Sequence, residues 1–497
     1  MLQTRFLPYA LPASEGVNPE AIRRMVETWE ERGLGIHSMM LIRNDRIIAE
    51  AWWAPYRPEL PHMMNSLSKS WTSTAIGFAV QDGLLTVEDP VLSFFPHMAE
   101  QPHDNMKKMR VKHLLTMSTG HSPQNADFIF SYPDPVRAFL ESEVCQEPGS
   151  RFLYNTGATY MLSAIIRRVT GCSTFDYLQD KLFAPLGIKE ISWETCPLGN
   201  SYGGVGLNIK TEDIAKLGQL YLHEGKWNGK QLLSPEWVRE ATRLHIRNDN
   251  ATETPWLDSD SEVPKNVEAT DWNRGYGYQF WRCIPKNVYR ADGAFGQYCI
   301  VMPDQHAVLA ITAGSSNMQA ILHPIWEILI PAMQDRPLPD APDAQAALTE
   351  MLRTRAIERP QATEPVCTWN HTYQLPVNPF GVSHISFRFQ PEGRSALIAT
   401  KDGRDFVIYP GTDAWYEQYF SVNSEPSFPF NPYTPYAHLA FAGAWRTPNR
   451  YELRVVCTHS AYIRTFSFTF MQDRLQIEYH QNVACPPEGI RWTAYRV

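Results

Sequence analysis

The order of strand-like and helical segments is the feature that most constrains the fold of this chain. Alternating apolar runs occur near the start and again shortly before residue 313, and the residues between 66 and about 242 carry mostly helical spacing. Strands at both ends of a long helical block predict one antiparallel sheet flanked by helices, with the block as an insertion. The fold class is therefore α/β (α+β). The predicted strands are 37–43, 47–53, 277–283, 297–302 and 307–312.

A second pattern begins after residue 336. A Pro-rich break at 336–343 precedes a short predicted helix at 344–357, and alternating runs separated by turn residues then continue from 369 to the end. This texture predicts an all-β sandwich or small barrel. We therefore predict a first domain at 1–338, a linker at 339–365 and a β domain at 366–497.

Charge and cysteine usage exclude several classes of function. The chain has 45 Lys and Arg against 53 Asp and Glu, so its net charge is -8, which disfavours nonspecific nucleic-acid binding. No secretory signal, bilayer span or C-x-x-C pair is evident, which predicts a cytoplasmic protein with reduced cysteines and no membrane partner. The fifteen histidines show no ligand spacing, so we predict neither a metal nor a cofactor.

Two serine motifs compete for the role of a nucleophile. The segment 199–203 matches G-x-S-x-G around Ser201, a motif that needs a strand before the serine and a helix after it. Several glycines follow Ser201 instead, which favours a glycine-rich loop. The other motif is Ser66-Leu-Ser-Lys69, the only S-x-x-K of the chain, at the start of a predicted helix over 66–81. An N-cap serine beside a solvated lysine fits this local pattern equally well.

Four segments occur in a fixed order along the chain. They are Ser66-Leu-Ser-Lys69, Leu114-Leu-Thr-Met-Ser-Thr-Gly120, Pro148-Gly-Ser-Arg-Phe-Leu-Tyr154-Asn-Thr-Gly and Tyr289-Arg-Ala-Asp-Gly-Ala-Phe-Gly296. Together they resemble the serine β-lactamase and penicillin-binding-protein superfamily, on its class C and esterase-like side. The resemblance covers roughly residues 15 to 335, and the β-rich tail resembles the lipocalin-like domains appended to some members.

The resemblance implies a set of catalytic roles. Ser66 would be the nucleophile, Lys69 its base and Tyr154 the relay that carries a proton to the leaving group. Backbone amides of Ser66 and Ala294 would form the oxyanion hole, in which one donor is typically worth about 100-fold to 1,000-fold in turnover.

Two positions depart from the family pattern. Thr156 stands where the family has asparagine, with Asn155 one residue early, and both are predicted to bind substrate. In the fourth segment the usual Lys or His is replaced by an alanine, which Asp292 and Gly293 follow. A carboxylate at Asp292 facing the pocket would repel an anionic substrate, with only Arg290 near enough to offset it.

We therefore predict a hydrolase of small, neutral or cationic esters or amides that is not an efficient β-lactamase. An acyltransferase, an aminopeptidase-like amidase in which Asp292 pairs with a substrate amine, and a sensor that has lost turnover remain alternatives. Assembly into a homo-oligomer stays open.

Overall fold

The computed structural model describes residues 6–98, 102–122, 131–248, 270–365, 367–390, 394–421, 436–486 and 488–497 of the 497-residue chain. It divides into two compact units that are discontinuous in sequence. Our predicted domains were continuous stretches, and they did not anticipate that short early segments belong to the later unit. The first unit comprises Met1–Ala51, Met63–Ala313 and Asn317–Thr354, and the second comprises Trp52–His62, Gly314–Ser316 and Arg355–Val497.

A six-stranded sheet forms the centre of the first unit. Its strand order is β2-β1-β11-β10-β9-β8, so strands from the two ends of the unit lie side by side, as the sequence predicts. Strands β1 and β11 are antiparallel and buried along their whole length. The strands are β1 (Ile36–Arg43), β2 (Arg46–Trp52), β8 (Trp281–Arg282), β9 (Tyr289–Gly293), β10 (Gln297–Met302) and β11 (Ala307–Ala313), and the shorter strands are β3 (His62–Met63), β4 (Ser192–Trp193), β5 (Leu207–Ile209), β6 (Lys226–Trp227) and β7 (Lys230–Gln231).

Most helices of the first unit lie between β3 and β8. Helix α2 is central to this block, because twelve consecutive residues from Ser68 to Ala79 are buried. A helix that is buried all round holds its first turn in a fixed position. The helices are α1 (Pro19–Glu31), α2 (Ser68–Gln81), α3 (Asp104–Lys108), α4 (Val111–Leu115), α5 (Pro135–Glu141), α6 (Thr156–Thr170), α7 (Thr174–Leu178), α8 (Thr211–Leu222), α9 (Pro235–Thr242), α10 (Met318–Pro324) and α11 (Pro342–Arg353).

The fold class predicted from the sequence is confirmed, and the element boundaries differ in places. The strand predicted at 277–283 is reduced to Trp281–Arg282, because the backbone at Gln279 has a positive φ of 64° that an extended strand does not contain. Helix α2 begins two residues later than predicted. Asn65–Leu67 forms a separate 3-10 turn before this helix, and its first residue, Asn65, has a positive φ of 47°.

The second unit is built on a ten-stranded sheet that curls into a near-barrel. The order is β15-β14-β13-β12-β21-β20-β19-β18-β17-β16, so the two edge strands follow one another in sequence. The Gln418 side chain joins these edges, because its amide donates to Val407 O at 2.9 Å and accepts from Tyr409 N at 2.8 Å. The strands are β12 (Thr372–Gln374), β13 (Val382–Arg388), β14 (Ala396–Lys401), β15 (Arg404–Ile408), β16 (Tyr416–Ser421), β17 (Tyr436–Thr447), β18 (Arg450–Cys457), β19 (Ile463–Phe470), β20 (Arg474–Gln481) and β21 (Ile490–Arg496).

Aromatic and aliphatic side chains fill the interior of this near-barrel. Phe387, Phe441 and Leu475 are among its most buried members, and inward residues alternate with outward ones along β18. The early segment Trp52–His62 belongs to the same unit. Within it Tyr56 packs on Ala440 and Val456.

Among the helices that the structure describes, none combines the length and the apolar character that a crossing of the bilayer requires.

Candidate active site

Ser66 lies in the 3-10 turn directly before helix α2. It is partly exposed, whereas the residues on either side of the turn, Met64 and Ser68, are buried. The turn is held from both sides, since Ser68 Oγ donates to Asn65 O at 2.6 Å and Asn65 Nδ2 donates to Ala294 O at 2.9 Å. The result is an accessible hydroxyl on a rigid support, at the end of the helix where the macrodipole is positive.

The Lys69 amine faces this hydroxyl. Lys69 is 1% exposed, and its Nζ donates to Ser66 Oγ at 3.0 Å and to Gly204 O at 2.9 Å. Thr156 Oγ1 lies 3.4 Å from the same nitrogen. The alternative in which Lys69 is an ordinary solvated lysine therefore does not hold.

Tyr154 lies beside the same amine, which is 4.8 Å from the centre of its ring. The tyrosine is 5% exposed, and its ring lies parallel to that of Trp281, with 5.8 Å between centroids and 9° between planes. The preceding residue is tied to a neighbouring loop, because Leu153 N donates to Met117 O at 2.8 Å. The structure thus brings Ser66, Lys69 and Tyr154 together around the buried amine.

Asn155 occupies a different place from the one we predicted. It is fully buried and caps helix α6, since its Oδ1 accepts from Ala158 N at 2.9 Å. A side chain without exposed surface, committed to a helix cap, is not available to bind substrate. The neighbouring Thr156, 9% exposed and close to the Lys69 amine, keeps that predicted role open.

Arg290 and Asp292 form a buried ion pair on one face of strand β9. Asp292 Oδ2 lies 3.0 Å from Arg290 Nε and 2.9 Å from its Nη2, and Arg290 has no exposed surface. Burial raises the pKa of the Asp292 carboxyl, while the charges of Arg290 and Lys69 act in the opposite direction.

This pairing determines how much charge strand β9 exposes. Arg290 has no exposed surface, so a substrate does not contact its guanidinium in this conformation. Asp292 is not a lone carboxylate, because the guanidinium already compensates its charge. The repulsion of anionic substrates that we expected from Asp292 is therefore weakened.

Gly293 brings the end of strand β9 against the turn that carries Ser66. A Cβ atom on Gly293 would lie 2.1 Å from Met64 O, closer than real Cβ atoms approach, and 3.1 Å from Ser66 N, which is a tight contact. Only glycine permits this close approach of two backbones. It places the Ser66 amide next to the turn that begins at Ala294, as an oxyanion hole made of these two amides requires.

Ser201, the competing serine, is a structural residue. It is fully buried in a loop, and its Oγ accepts from Phe175 N at 3.3 Å. The glycines that follow it contribute to the site in another way, since Gly203 O accepts from Thr72 Oγ1 and Gly204 O accepts from Lys69. The sequence predicts a glycine-rich loop at this place but does not reveal that one of its carbonyls accepts a hydrogen bond from the lysine.

Glu194 was not singled out from the sequence. It directly follows strand β4 and faces Gly206. Because glycine has no side chain, the glutamate has room at this position. A Cβ atom on Gly206 would lie 2.8 Å from Glu194 Cβ. Burial raises the pKa of this carboxyl to about 8. An isolated glutamate gives no sequence pattern from which such an environment could be predicted.

Among the described residues, no group of three or more His, Cys, Asp or Glu side chains is arranged to hold a metal ion.

Comparison with known proteins defines first the class and then the family. Similarity to proteins named as a hydrolase and an esterase, on this fold, identifies the chain as a β-lactamase-related serine hydrolase. The family model described as Beta-lactamase matches residues 22–320, and the chain belongs to that family.

The individual relatives are distant. The 6-aminohexanoate-dimer hydrolase of Paenarthrobacter ureafaciens is 23% identical over 255 residues, which cover 46% of this chain and 63% of that protein. The lovastatin esterase of Penicillium rubens is 27% identical over 150 residues, covering 25% and 37%. The solved structure of EstCE1, described as a hydrolase with promiscuous acyltransferase activity, has a TM-score of 0.50 at 15% identity and covers 62% of this chain and 99% of its own.

Proposed function

We propose that this protein cleaves a small ester or amide through an acyl-serine intermediate on Ser66. The observation that carries the proposal is the 3.0 Å contact between the Lys69 amine and the Ser66 hydroxyl, with the lysine almost completely buried. A serine hydroxyl is a weak nucleophile unless a base lies within hydrogen-bond distance, and this amine satisfies that requirement.

The reaction would proceed in two halves. Lys69, in its unprotonated form, takes the proton of Ser66 as Oγ attacks the substrate carbonyl carbon. The carbonyl oxygen, now negative, accepts hydrogen bonds from the amides of Ser66 and Ala294. Tyr154 passes a proton to the leaving alcohol or amine, and the same groups then activate the water that releases the acid. The 4.8 Å between the Lys69 amine and the Tyr154 ring supports such a relay.

The surroundings of strand β9 support uncharged or cationic substrates. In antibiotic-hydrolysing relatives a cation of this strand helps to hold a substrate carboxylate, whereas this chain has Ala291 at that position. Arg290 is fully buried against Asp292 and offers no exposed charge. Thr156 and Gly293 remain the candidates for substrate contact.

The test is intact-mass detection of an acyl adduct across a p-nitrophenyl ester, a p-nitroanilide and nitrocefin. We expect an adduct of acyl mass on the native protein, its loss in Ser66→Ala, and its retention in the matched control Ser201→Ala. Turnover of the ester should exceed that of nitrocefin, because no exposed cation of strand β9 binds the lactam carboxylate. An adduct that survives in Ser66→Ala, or a faster reaction with nitrocefin, contradicts the proposal.

Product analysis in the presence of an added alcohol or amine extends this experiment. If the added nucleophile captures the acyl group in preference to water, the protein is an acyltransferase that uses the same first step. An adduct that forms but never turns over would indicate a sensor.

A further inference from the structure

The side chains around Tyr154 form a compact group of aromatic rings. We call Phe152, Tyr154, Tyr276 and Trp281 the ring cluster. All four are at most 6% exposed, and Tyr276 stands nearly perpendicular to Trp281, with 4.6 Å between centroids and 73° between planes. Phe152 meets the edges of Tyr276 and Trp281 at 5.3 and 5.4 Å. Such offset and edge-on arrangements are favourable and directional.

Trp281 is held in place by residues outside the ring cluster. Its backbone is paired with that of Arg290 across strands β8 and β9, and the guanidinium of that arginine lies 5.8 Å from the centre of the Trp281 ring. A hydrogen bond from the indole side chain also reaches Asp292, the residue that Arg290 binds through two nitrogens. The tryptophan is thus fixed by its backbone, by a cation on its ring and by a carboxylate.

We infer that Trp281 is a positioning residue for Tyr154, and that the Arg290–Asp292 pair serves to anchor Trp281 and not to bind substrate. The Trp281 ring lies parallel to the Tyr154 ring and so limits how that phenol can rotate or tilt. This inference rests on the proposed function, because positioning matters only if Tyr154 takes part in proton transfer.

The anchoring role also accounts for the unusual residue at position 292. The Asp292 carboxylate is already engaged, because one oxygen lies within hydrogen-bond distance of two nitrogens of Arg290 and the side chain also bonds to Trp281. A buried carboxylate is retained where it satisfies buried donors, and here those donors are a guanidinium and an indole.

The experiment compares Trp281→Leu, Trp281→Phe and Phe280→Leu. Phe280 is the matched control, because it is an adjacent, equally buried aromatic residue whose ring contacts Tyr221 and Tyr289 and is not part of the ring cluster. For each variant we would measure kcat and KM for a p-nitrophenyl ester between pH 5 and 10, together with the melting temperature. Labelling of Ser66 by a fluorophosphonate, checked against Ser66→Ala, tests the proposed function separately.

We expect Trp281→Leu to lower kcat by about 10-fold to 100-fold with KM changed less than about threefold, since a small misplacement of a catalytic group costs this much. The pH at which kcat is half-maximal should move by at least about half a unit. Trp281→Phe should restore most of kcat, because a phenyl ring can still stack on Tyr154, and Phe280→Leu should leave the pH profile unchanged.

Other outcomes overturn the inference. If Trp281→Leu and Phe280→Leu lose stability equally and keep the native pH profile, Trp281 only packs. If Trp281→Leu does not fold, the same kinetic measurements on Trp281→Phe and Asp292→Asn test the inference. Asp292→Asn keeps an acceptor for the indole but loses the charge, so an anchor would tolerate this change with a loss of kcat under about tenfold. If Asp292→Asn instead raises KM by more than about tenfold and leaves kcat unchanged, Asp292 binds substrate.

Discussion

Single side chains decide how this site can work, and Lys69 is the clearest case. Its amine contacts the Ser66 hydroxyl, the Gly204 carbonyl and the Thr156 hydroxyl, all oxygen atoms. The S-x-x-K spacing predicts that the serine and lysine share a helix face. It does not predict the carbonyl, which comes from a loop more than a hundred residues later in the chain. Sequence therefore identified the pair but not the contact that orients the lysine.

Asn155 shows the limit of reading roles from a linear motif. The family pattern places an asparagine two residues after the tyrosine, and here the asparagine stands one residue early, exactly where helix α6 needs a cap. Whether such a residue faces the pocket or the helix end depends on where the helix begins. Helix boundaries predicted from sequence are uncertain by one or two residues. The sequence therefore does not reveal that Asn155 is the cap of helix α6.

Glu194 gives the residue-scale prediction on pH. Its folded pKa of about 8 lies above the ordinary value of 4.5, so the folded state binds a proton that the unfolded state releases, and stability falls as pH rises from about 4.5 to 8. Glu194→Gln removes this loss and should stabilise the protein by about 2 kcal/mol at pH 8.5 but by little at pH 5, after allowance for partial exposure.

Thermal unfolding of native and Glu194→Gln protein at pH 5 and 8.5 measures the effect. The exposed Glu31→Gln is the control and should change neither melting temperature. A Glu194→Gln variant that is less stable than the native protein at pH 8.5 would show that the carboxylate is charged and favourably paired.

Strand β9 carries the main prediction at the scale of secondary structure. Gly293→Ala would place a Cβ 2.1 Å from Met64 O, so strand and turn must separate by about 1 Å. We expect kcat to fall by about 100-fold or more, comparable to the loss of one oxyanion-hole donor, with a smaller change in KM. Ester hydrolysis kinetics measure this effect.

Gly403→Ala provides the comparison. Gly403 lies in the turn between β14 and β15 with open space around it, and its positive φ of 74° makes alanine strained there. This substitution should lower the melting temperature and leave kcat unchanged. If Gly293→Ala behaves in the same way, the close approach of strand β9 has no part in turnover.

The elements themselves were largely predictable from sequence, because their apolar spacing is regular. Strand β10 (Gln297–Met302) matches the predicted range at both ends. The strand over 277–283 was overestimated, since no local pattern reveals that Gln279 adopts a left-handed backbone conformation. That kink is held by distant contacts, among them the hydrogen bond from Gln279 N to Leu115 O.

At the scale of the whole molecule, the second unit includes the early segment Trp52–His62, which the pattern of apolar and polar residues did not assign to it. Within that unit the Tyr56 hydroxyl donates to Ser460 O at 3.0 Å, and its ring is 5% exposed. A stretch of eleven residues gives no periodicity that would associate it with a partner some four hundred positions away. Burial and hydrogen bonding, and not local pattern, place it in the later unit.

Tyr56→Ala tests this assignment. Removing a buried aromatic ring and its hydrogen bond should lower the free energy of unfolding by about 3 kcal/mol, and it should act on the calorimetric transition of the second unit. Tyr495→Ala, at an exposed tyrosine of strand β21, is the matched control and should have little effect. Equal melting temperatures for the two variants would contradict a structural role for Tyr56.

The membership of Trp52–His62 in the later unit has a consequence for biosynthesis. These residues leave the ribosome long before Arg355–Val497, so their aromatic side chains reach their native surroundings only after that later segment has been synthesised. During this interval the nascent chain carries an unburied segment directly ahead of the Ser66 turn, and the second unit cannot complete its fold until the later strands are available.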